Sequence, residues 1–91
     1  MRNIPTDLLR SFLSAIDTGS FTRAAEAVGR TQSAISLQIK RLEEIVGARL
    51  FQRDAHNVAL TDEGATVAQY ARRMLALNDE VLALLNSPKV S

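Results

Sequence analysis

Four neighbouring side chains in the middle of the chain could recognise the edges of DNA bases: Gln32, Ser33, Ser36 and Leu37. A glutamine amide can bond to N6 and N7 of adenine, a serine hydroxyl can bond to several bases, and a leucine can contact the thymine methyl group. With about 100° of rotation per residue, these side chains lie away from the apolar stripe of the same helix. An ordinary solvated helix face accounts for the two serines equally well, and single exposed leucines are common.

Groups that could catalyse a reaction are scarce. The chain has one histidine, His56, and no cysteine. Asp54 lies two residues before it, but this pair without a nucleophile is weak evidence for an active site. The sequence also lacks a glycine-rich phosphate loop and a histidine pair at metal-ligand spacing. We therefore expect no catalytic residue, no metal site and no cofactor in this chain.

The composition is typical of one small soluble domain. The chain has 91 residues, of which 46% are hydrophobic and 23% charged, and this balance argues against disorder. No apolar run is long enough to cross a membrane, and the N-terminus lacks the apolar region of a signal peptide. We expect a cytoplasmic protein without membrane contact. The net charge is +1, but residues 20–53 carry three more basic than acidic groups, as either a nucleic-acid face or a solvated surface would.

Three helices are predicted before residue 50. Apolar residues recur at helical spacing over about residues 7–18, after a start at Thr6 and Asp7. A short second helix, capped by Ser20 or Thr22, ends at Gly29. A third runs over about residues 32–46 with Thr31 as its N-cap. The short glycine-containing turn between the last two predicts a helix-turn-helix unit, although a helical hairpin in an ordinary bundle has similar spacing.

The remainder predicts a hairpin and a long helix. Residues 50–53 and 58–60 are short extended runs around a polar tip at 54–57, which fits a small β-hairpin packed on the helices. Residues 61–86 form the last helix, whose two adjacent apolar stripes exceed what the first helix can cover. We expect a second copy of the chain to cover one stripe; the alternative is the rest of a larger protein. The predicted dimer contacts are Ala71, Leu75, Asn78, Leu82 and Leu85.

A set of linked motifs resembles the N-terminal domain of LysR-type transcriptional regulators. The motifs are SFTRAA (20–25), TQSAIS (31–36), Ile39, LE (42–43), VG (46–47), LF (50–51), Arg53 and LTDEG (60–64). The resemblance extends from Leu8 to about Leu85. The stretch RTQSA (30–34) is similar to the motility- and virulence-repressor branch of that family.

This resemblance implies a mainly α fold: a winged helix-turn-helix, with three helices and a small β-hairpin wing, in residues 1–60. A linker and dimerisation helix would follow at 61–86, and residues 87–91 would begin a hinge to an effector domain of periplasmic-binding-protein type. Such regulators bind promoter DNA with an interrupted palindrome as dimers, which associate into tetramers in the full-length protein. The small-molecule effector would bind in the C-terminal domain.

The resemblance also implies roles for individual residues. Base reading is carried over to Gln32, Ser33, Ser36 and Leu37, and contact with the DNA backbone to Thr22, Thr31, Lys40, Arg53 and His56, of which the last two lie on the wing. The chain departs from the family pattern at Leu37, where many members carry arginine, and at His56, which is often arginine. The departure at Leu37 predicts a different preferred half-site, and the departure at His56 predicts weaker DNA binding by the wing.

Two other interpretations remain open from the sequence. The chain could be a protein-interaction module whose long helix docks on a partner and whose middle helices only support it. It could also be a small free-standing repressor that lacks an effector domain. The first would show no salt-dependent affinity for DNA.

Overall fold

The computed structural model describes residues 2–52 and 58–87, and these contain four helices. They are α1 (Thr6–Thr18), α2 (Phe21–Val28), α3 (Gln32–Val46) and α4 (Asp62–Asn86). All four predicted helices are confirmed to within a residue at each end. No helix in the described ranges is both long and apolar enough to cross a membrane.

Local sequence sets where the helices begin. The side-chain oxygens of Ser20, Thr31 and Thr61 accept hydrogen bonds from backbone N–H groups in the first turns of α2, α3 and α4, as N-caps do. Ser20, not Thr22, is therefore the cap of α2. At α1 the N-cap position is Pro5, which supplies no side-chain hydrogen bond.

The turn between α2 and α3 depends on Gly29. This residue ends α2 with φ at +70°, a left-handed conformation that other residues adopt only with strain. Its backbone N–H donates to carbonyls of the last turn of α2, and Thr31 caps the next helix two residues later. The short turn forces α2 and α3 to cross, and both also pack on α1. The predicted helix-turn-helix unit is thus present.

The core lies between α1, α2 and α3 and is closed by residues that follow α3. Phe51 contacts Phe12 of α1 and Phe21 of α2 edge to face, with ring centroids 5.3 and 5.4 Å apart. The fully buried side chains at its centre include Leu9, Phe12, Ile35, Leu42 and Leu50.

The predicted β-hairpin is not confirmed. The described residues contain one antiparallel bridge, between Phe51 and Leu60, and no strand. Two flanking hydrogen bonds, Gln52 N to Ala59 O (2.8 Å) and Thr61 N to Leu50 O (3.0 Å), hold the two sides together. The predicted tip at 54–57 lies outside the described residues.

Helix α4 is buried only between residues 64 and 75, and beyond them it contacts α1 through the Arg10–Asp79 ion pair. Gly64, Ala68, Ala71 and Leu75 are its buried residues, and the apolar side chains beyond them are exposed. Its 25 residues span about 37 Å, so the second half extends past the core. Two ion pairs also join α1 to α4, at Asp17–Arg72 and Arg10–Asp79.

Candidate nucleic-acid interface

Helix α3 is anchored by one face and open on the other. Ile35, Ile39 and Leu42 are buried against the core. Beside them, the hydroxyl of the buried Ser11 in α1 donates to the Gln38 side-chain oxygen, at 2.5 Å. This contact across two helices fixes the rotation of α3, so its opposite face points away from the core.

In its N-terminal half, the opposite face of α3 carries short, uncharged side chains. The four side chains predicted to read bases, together with Lys40, are all exposed and line one shallow depression. Leu37 is 69% exposed, so a large apolar side chain points outward without packing. The structure therefore brings these five residues together on one surface: Gln32, Ser33, Ser36, Leu37 and Lys40.

The two threonines predicted to contact DNA phosphates lie at the starts of the two helices of the helix-turn-helix. The Thr31 hydroxyl oxygen accepts from Ala34 N (3.1 Å) and so caps α3. The Thr22 hydroxyl donates to the Gln32 side-chain oxygen over a long 3.4 Å. Thr22 therefore contacts one of the predicted base-reading residues.

Arg53 and His56, the predicted wing residues, lie outside the described residues.

The flank of α3 next to this surface carries cations that sequence reasoning did not select. Arg30 and Arg41 are exposed and line a second depression, which shares Leu37 and Lys40 with the first. The basic excess of residues 20–53 was the available signal, but it did not indicate which of the six basic side chains share a surface.

Arg2 fastens the N-terminal segment to the end of α3. Its guanidinium donates to the backbone carbonyls of Glu44 (3.0 Å) and Ile45 (3.2 Å). Carbonyls in the last turn of a helix have no partner within the helix, and a cation there is also favoured by the helix dipole. Arg2 thus stabilises the C-terminal end of α3, a role the sequence did not indicate.

The long helix α4 presents a different apolar surface from the one predicted. Ala71 and Leu75 were predicted to contact a second chain, but they are 1% and 7% exposed because they pack on the chain's own α1. Asn78 is half-buried and donates to the neighbouring Asp79. Leu82 and Leu85 are exposed, as the prediction requires. The large apolar side chains exposed on α4 are Tyr70, Met74, Leu77, Val81, Leu82, Leu84 and Leu85.

The ion pairs between α1 and α4 perturb two carboxylates. Hydrogen bonds from the Arg72 guanidinium (2.6 and 3.2 Å) lower the pKa of Asp17, and the pKa of Arg72 is raised in return. Hydrogen bonds from Arg10 and then Asn78 lower the pKa of Asp79. Both pairs join α4 to α1 and neither involves α3.

The helices and turns described above match a known protein family. Residues 6–65 match the bacterial regulatory helix-turn-helix protein, lysR family. The chain belongs to the LysR family. The matched range covers α1, the helix-turn-helix, the bridged segment and the start of α4.

Two HTH-type transcriptional regulators are similar to nearly the whole chain. The HTH-type transcriptional regulator PecT of Dickeya dadantii (strain 3937) is 47% identical over 83 residues, which are 91% of this chain and 26% of PecT. DgdR of Burkholderia cepacia, another HTH-type transcriptional regulator, is 48% identical over 82 residues, 90% of this chain and 28% of DgdR. The chain therefore spans about a quarter of the length of these relatives.

A solved LysR-family structure shares the fold. The BenM DBD in its complex with catB site 1 DNA superposes with a TM-score of 0.85 at 33% identity. The match covers 90% of this chain and 91% of the BenM chain. The mainly helical architecture is therefore that of LysR DNA-binding domains.

Proposed function

We propose that this chain is the DNA-binding part of a transcriptional regulator and binds a specific double-stranded sequence as a dimer. The observation that carries the proposal is the exposed outward face of α3, which begins with Gln32, Ser33 and Ser36 and has Leu37 at its centre. An α-helix fits the major groove, and side chains near its N-terminus reach base edges in helix-turn-helix proteins. The BenM neighbour, solved with DNA, supports the same conclusion.

The chemistry of this face suits base reading. Short uncharged side chains allow the helix to approach the bases, and none of them repels phosphates. Gln32 can bond bidentately to adenine, whereas Leu37 can contact a thymine methyl group. Thr22 and Thr31, at the starts of α2 and α3, and Lys40 would then hold the backbone. The segment closed by the Phe51–Leu60 bridge would form the wing, with Arg53 and His56 at or near its tip.

The exposed apolar side of α4 supports dimerisation with a second copy. Seven large apolar side chains remain exposed there, and an extended exposed apolar patch commonly marks a protein–protein interface. Pairing with the same helix of another copy buries this surface, and a two-fold dimer presents both α3 helices to one side of the DNA. Half-sites about 34 Å apart, in an interrupted palindrome, would follow from that symmetry.

Further properties belong to the longer protein that the relatives' lengths suggest. A C-terminal domain would bind a small-molecule effector, the full-length protein would form tetramers, and the whole would act in the cytoplasm without membrane contact. The chain itself would need no cofactor and catalyse no reaction, since the relatives are transcriptional regulators. Residues 87–91 would begin the hinge between the two parts.

Fluorescence anisotropy tests the proposal directly. The 91-residue chain is titrated into a labelled duplex selected from a random pool, and into a scrambled duplex, at two salt concentrations. We expect tighter binding to the selected duplex, two chains per duplex, and affinity that falls steeply as salt rises. Equal affinity for both duplexes would contradict sequence recognition. No binding at either salt concentration would favour a protein-interaction module.

A further inference from the structure

The two sides of α3 differ in charge. Viewed down the helix at about 100° per residue, Ser36 and Arg41 lie on opposite sides of Leu37. One depression, on the Ser36 side, is lined by uncharged groups and Lys40. The other, on the Arg41 side, includes Arg30 from the turn before α3. Leu37 and Lys40 line both, so they form a ridge between an uncharged side and a basic side.

The cationic flank, defined as Arg30, Lys40 and Arg41, is available for an external anion. All three side chains are exposed, and within residues 2–52 and 58–87 none of them forms an ion pair with a carboxylate. Arg10 and Arg72, by contrast, form ion pairs between α1 and α4. Glu44 is the acidic residue that lines the same depression.

The depression on the Arg41 side is continuous with another one near the N-terminal segment of the chain. A third depression is lined by Arg2, Arg41, Glu44 and Ile45, so Arg41 and Glu44 connect it to the flank. Because Arg2 donates to the Glu44 and Ile45 carbonyls, its charge is held at this end of α3. The basic side of α3 therefore extends from the helix-turn-helix turn to the C-terminal end of the helix.

We infer that Arg30 and Arg41 contact the phosphates of one DNA strand and thereby set the tilt of α3 in the major groove. This inference rests on the proposed function. A helix in the groove turns its two sides to the two opposing backbones, and guanidinium groups bind phosphate oxygens with paired hydrogen bonds. The uncharged side then faces the base edges and the second strand. Glu44, on the flank side, opposes close approach of that end of the helix to phosphates.

Salt-dependent binding by charge variants tests the inference. Arg30→Gln, Arg41→Gln and the double variant are titrated into the selected and scrambled duplexes over a series of salt concentrations. Each lost phosphate contact should lower the slope of log K against log[salt] by about 0.9, and the affinity at 0.1 M salt by roughly 5- to 10-fold. The loss should be equal on both duplexes, because phosphates carry no sequence information.

Two further variants separate charge from structure. Arg41→Lys should keep the slope of the parent chain, since it retains the charge. Glu44→Gln should act in the opposite direction and raise the affinity for both duplexes by roughly two- to five-fold, because it removes a like charge from beside the phosphates. Arg73→Gln is the control, since Arg73 lies on α4, which packs on α1 and not on α3. Thermal melting checks that each variant is folded.

The possible failures are distinguishable. If the unsubstituted chain binds neither duplex, the proposed function fails, and this inference fails with it. If the chain prefers the selected duplex but Arg30→Gln and Arg41→Gln keep its salt slope, only this inference is overturned. A loss confined to the selected duplex would also overturn it, because these arginines would then read bases.

Discussion

The Glu43 carboxylate accepts a hydrogen bond from the backbone N–H of Leu50, with 2.7 Å between Oε2 and N. The bond joins the last turns of α3 to the next segment, in which Leu50 and Phe51 are buried in the core. It satisfies a backbone donor that the bridge between Phe51 and Leu60 leaves without a partner. Glu43 therefore positions the base of the proposed wing relative to the proposed recognition helix.

Replacing Glu43 by alanine should destabilise the fold. Leu50 is fully buried, and its N–H would lose its acceptor, at a cost of about 1–3 kcal/mol in the free energy of unfolding. Urea denaturation measures this change. Glu44→Ala is the matched control: its side chain is exposed and makes no hydrogen bond within the described residues, so its stability should change by less than about 0.5 kcal/mol. Equal effects of both substitutions would show that the Leu50 bond contributes nothing.

At Gly64 the backbone of α4 lies so close to the backbone of Leu50 that there is no room for a side chain. A Cβ at this position would overlap the carbonyl of Leu50 and touch the Leu60 side chain. Gly64→Ala should therefore lower the melting temperature, by the equivalent of about 1–3 kcal/mol, although alanine favours helix by about 1 kcal/mol in open positions. Gln69→Ala, an exposed change on the same helix, should leave the melting temperature nearly unchanged. A stabilised Gly64→Ala variant would mean that α4 can shift away from residue 50 without penalty.

The four helices could be predicted from the sequence because each carries a local signal. Caps such as Ser20 and Thr31, the glycine after α2 and the apolar period all act within a few residues of the position they define. The outward direction of Leu37 followed from the same period. The residues proposed for recognition were therefore within reach of sequence reasoning, while their role stays a prediction.

The relationships that sequence could not supply are tertiary. Two apolar stripes on α4 look alike in sequence, and only the position of α1 decides that Ala71 and Leu75 are buried within the chain. The same holds for the Arg2 bonds to α3, which join residues 42 and 43 positions apart in sequence.

The Asp17–Arg72 pair should make stability depend on pH in the acid range. Its hydrogen bonds lower the folded-state pKa of Asp17, so the pair stabilises the fold above the unfolded pKa of about 3.9. That stabilisation is lost as pH falls through the lower folded-state pKa. Both side chains are about half exposed, so solvent screening keeps the effect at or below about 1 kcal/mol.

Melting temperatures of the parent chain and Asp17→Asn, taken from pH 7 to pH 2.5, measure this dependence. The difference between them should be constant above about pH 5 and shrink towards zero below pH 4. Glu80→Gln removes a carboxylate without an ion pair in the described residues and corrects for general charge effects. A difference that grows on acidification would contradict the sign derived from the lowered pKa.

Charge placed on the exposed side of α4 should dissociate the proposed dimer. Leu77 and Leu82 are 63% and 51% exposed in the single chain, so aspartate there costs the folded monomer little but would be buried in an interface. Leu77→Asp and Leu82→Asp should give monomers by light scattering, with helix content retained. Ala76→Asp, on the polar side of α4, should remain dimeric. Leu75→Asp should instead unfold the chain, because Leu75 is buried against α1.

Dimers that persist in Leu77→Asp and Leu82→Asp would show that the chains associate elsewhere. Monomers produced equally by Ala76→Asp would attribute dissociation to net charge rather than to the apolar surface.

Gln32→Ala should separate base recognition from backbone contact. If Gln32 bonds to adenine, its loss costs about 1–3 kcal/mol on the selected duplex and relaxes the preference at one base position. Affinity for the scrambled duplex should hardly change. Thr22→Val, which removes the hydroxyl that contacts the Gln32 amide and would contact a phosphate, should instead weaken both duplexes. Gln69→Ala on α4 is the matched glutamine control. Equal losses on both duplexes for Gln32→Ala would make Gln32 a backbone contact and leave base recognition to Ser33, Ser36 and Leu37.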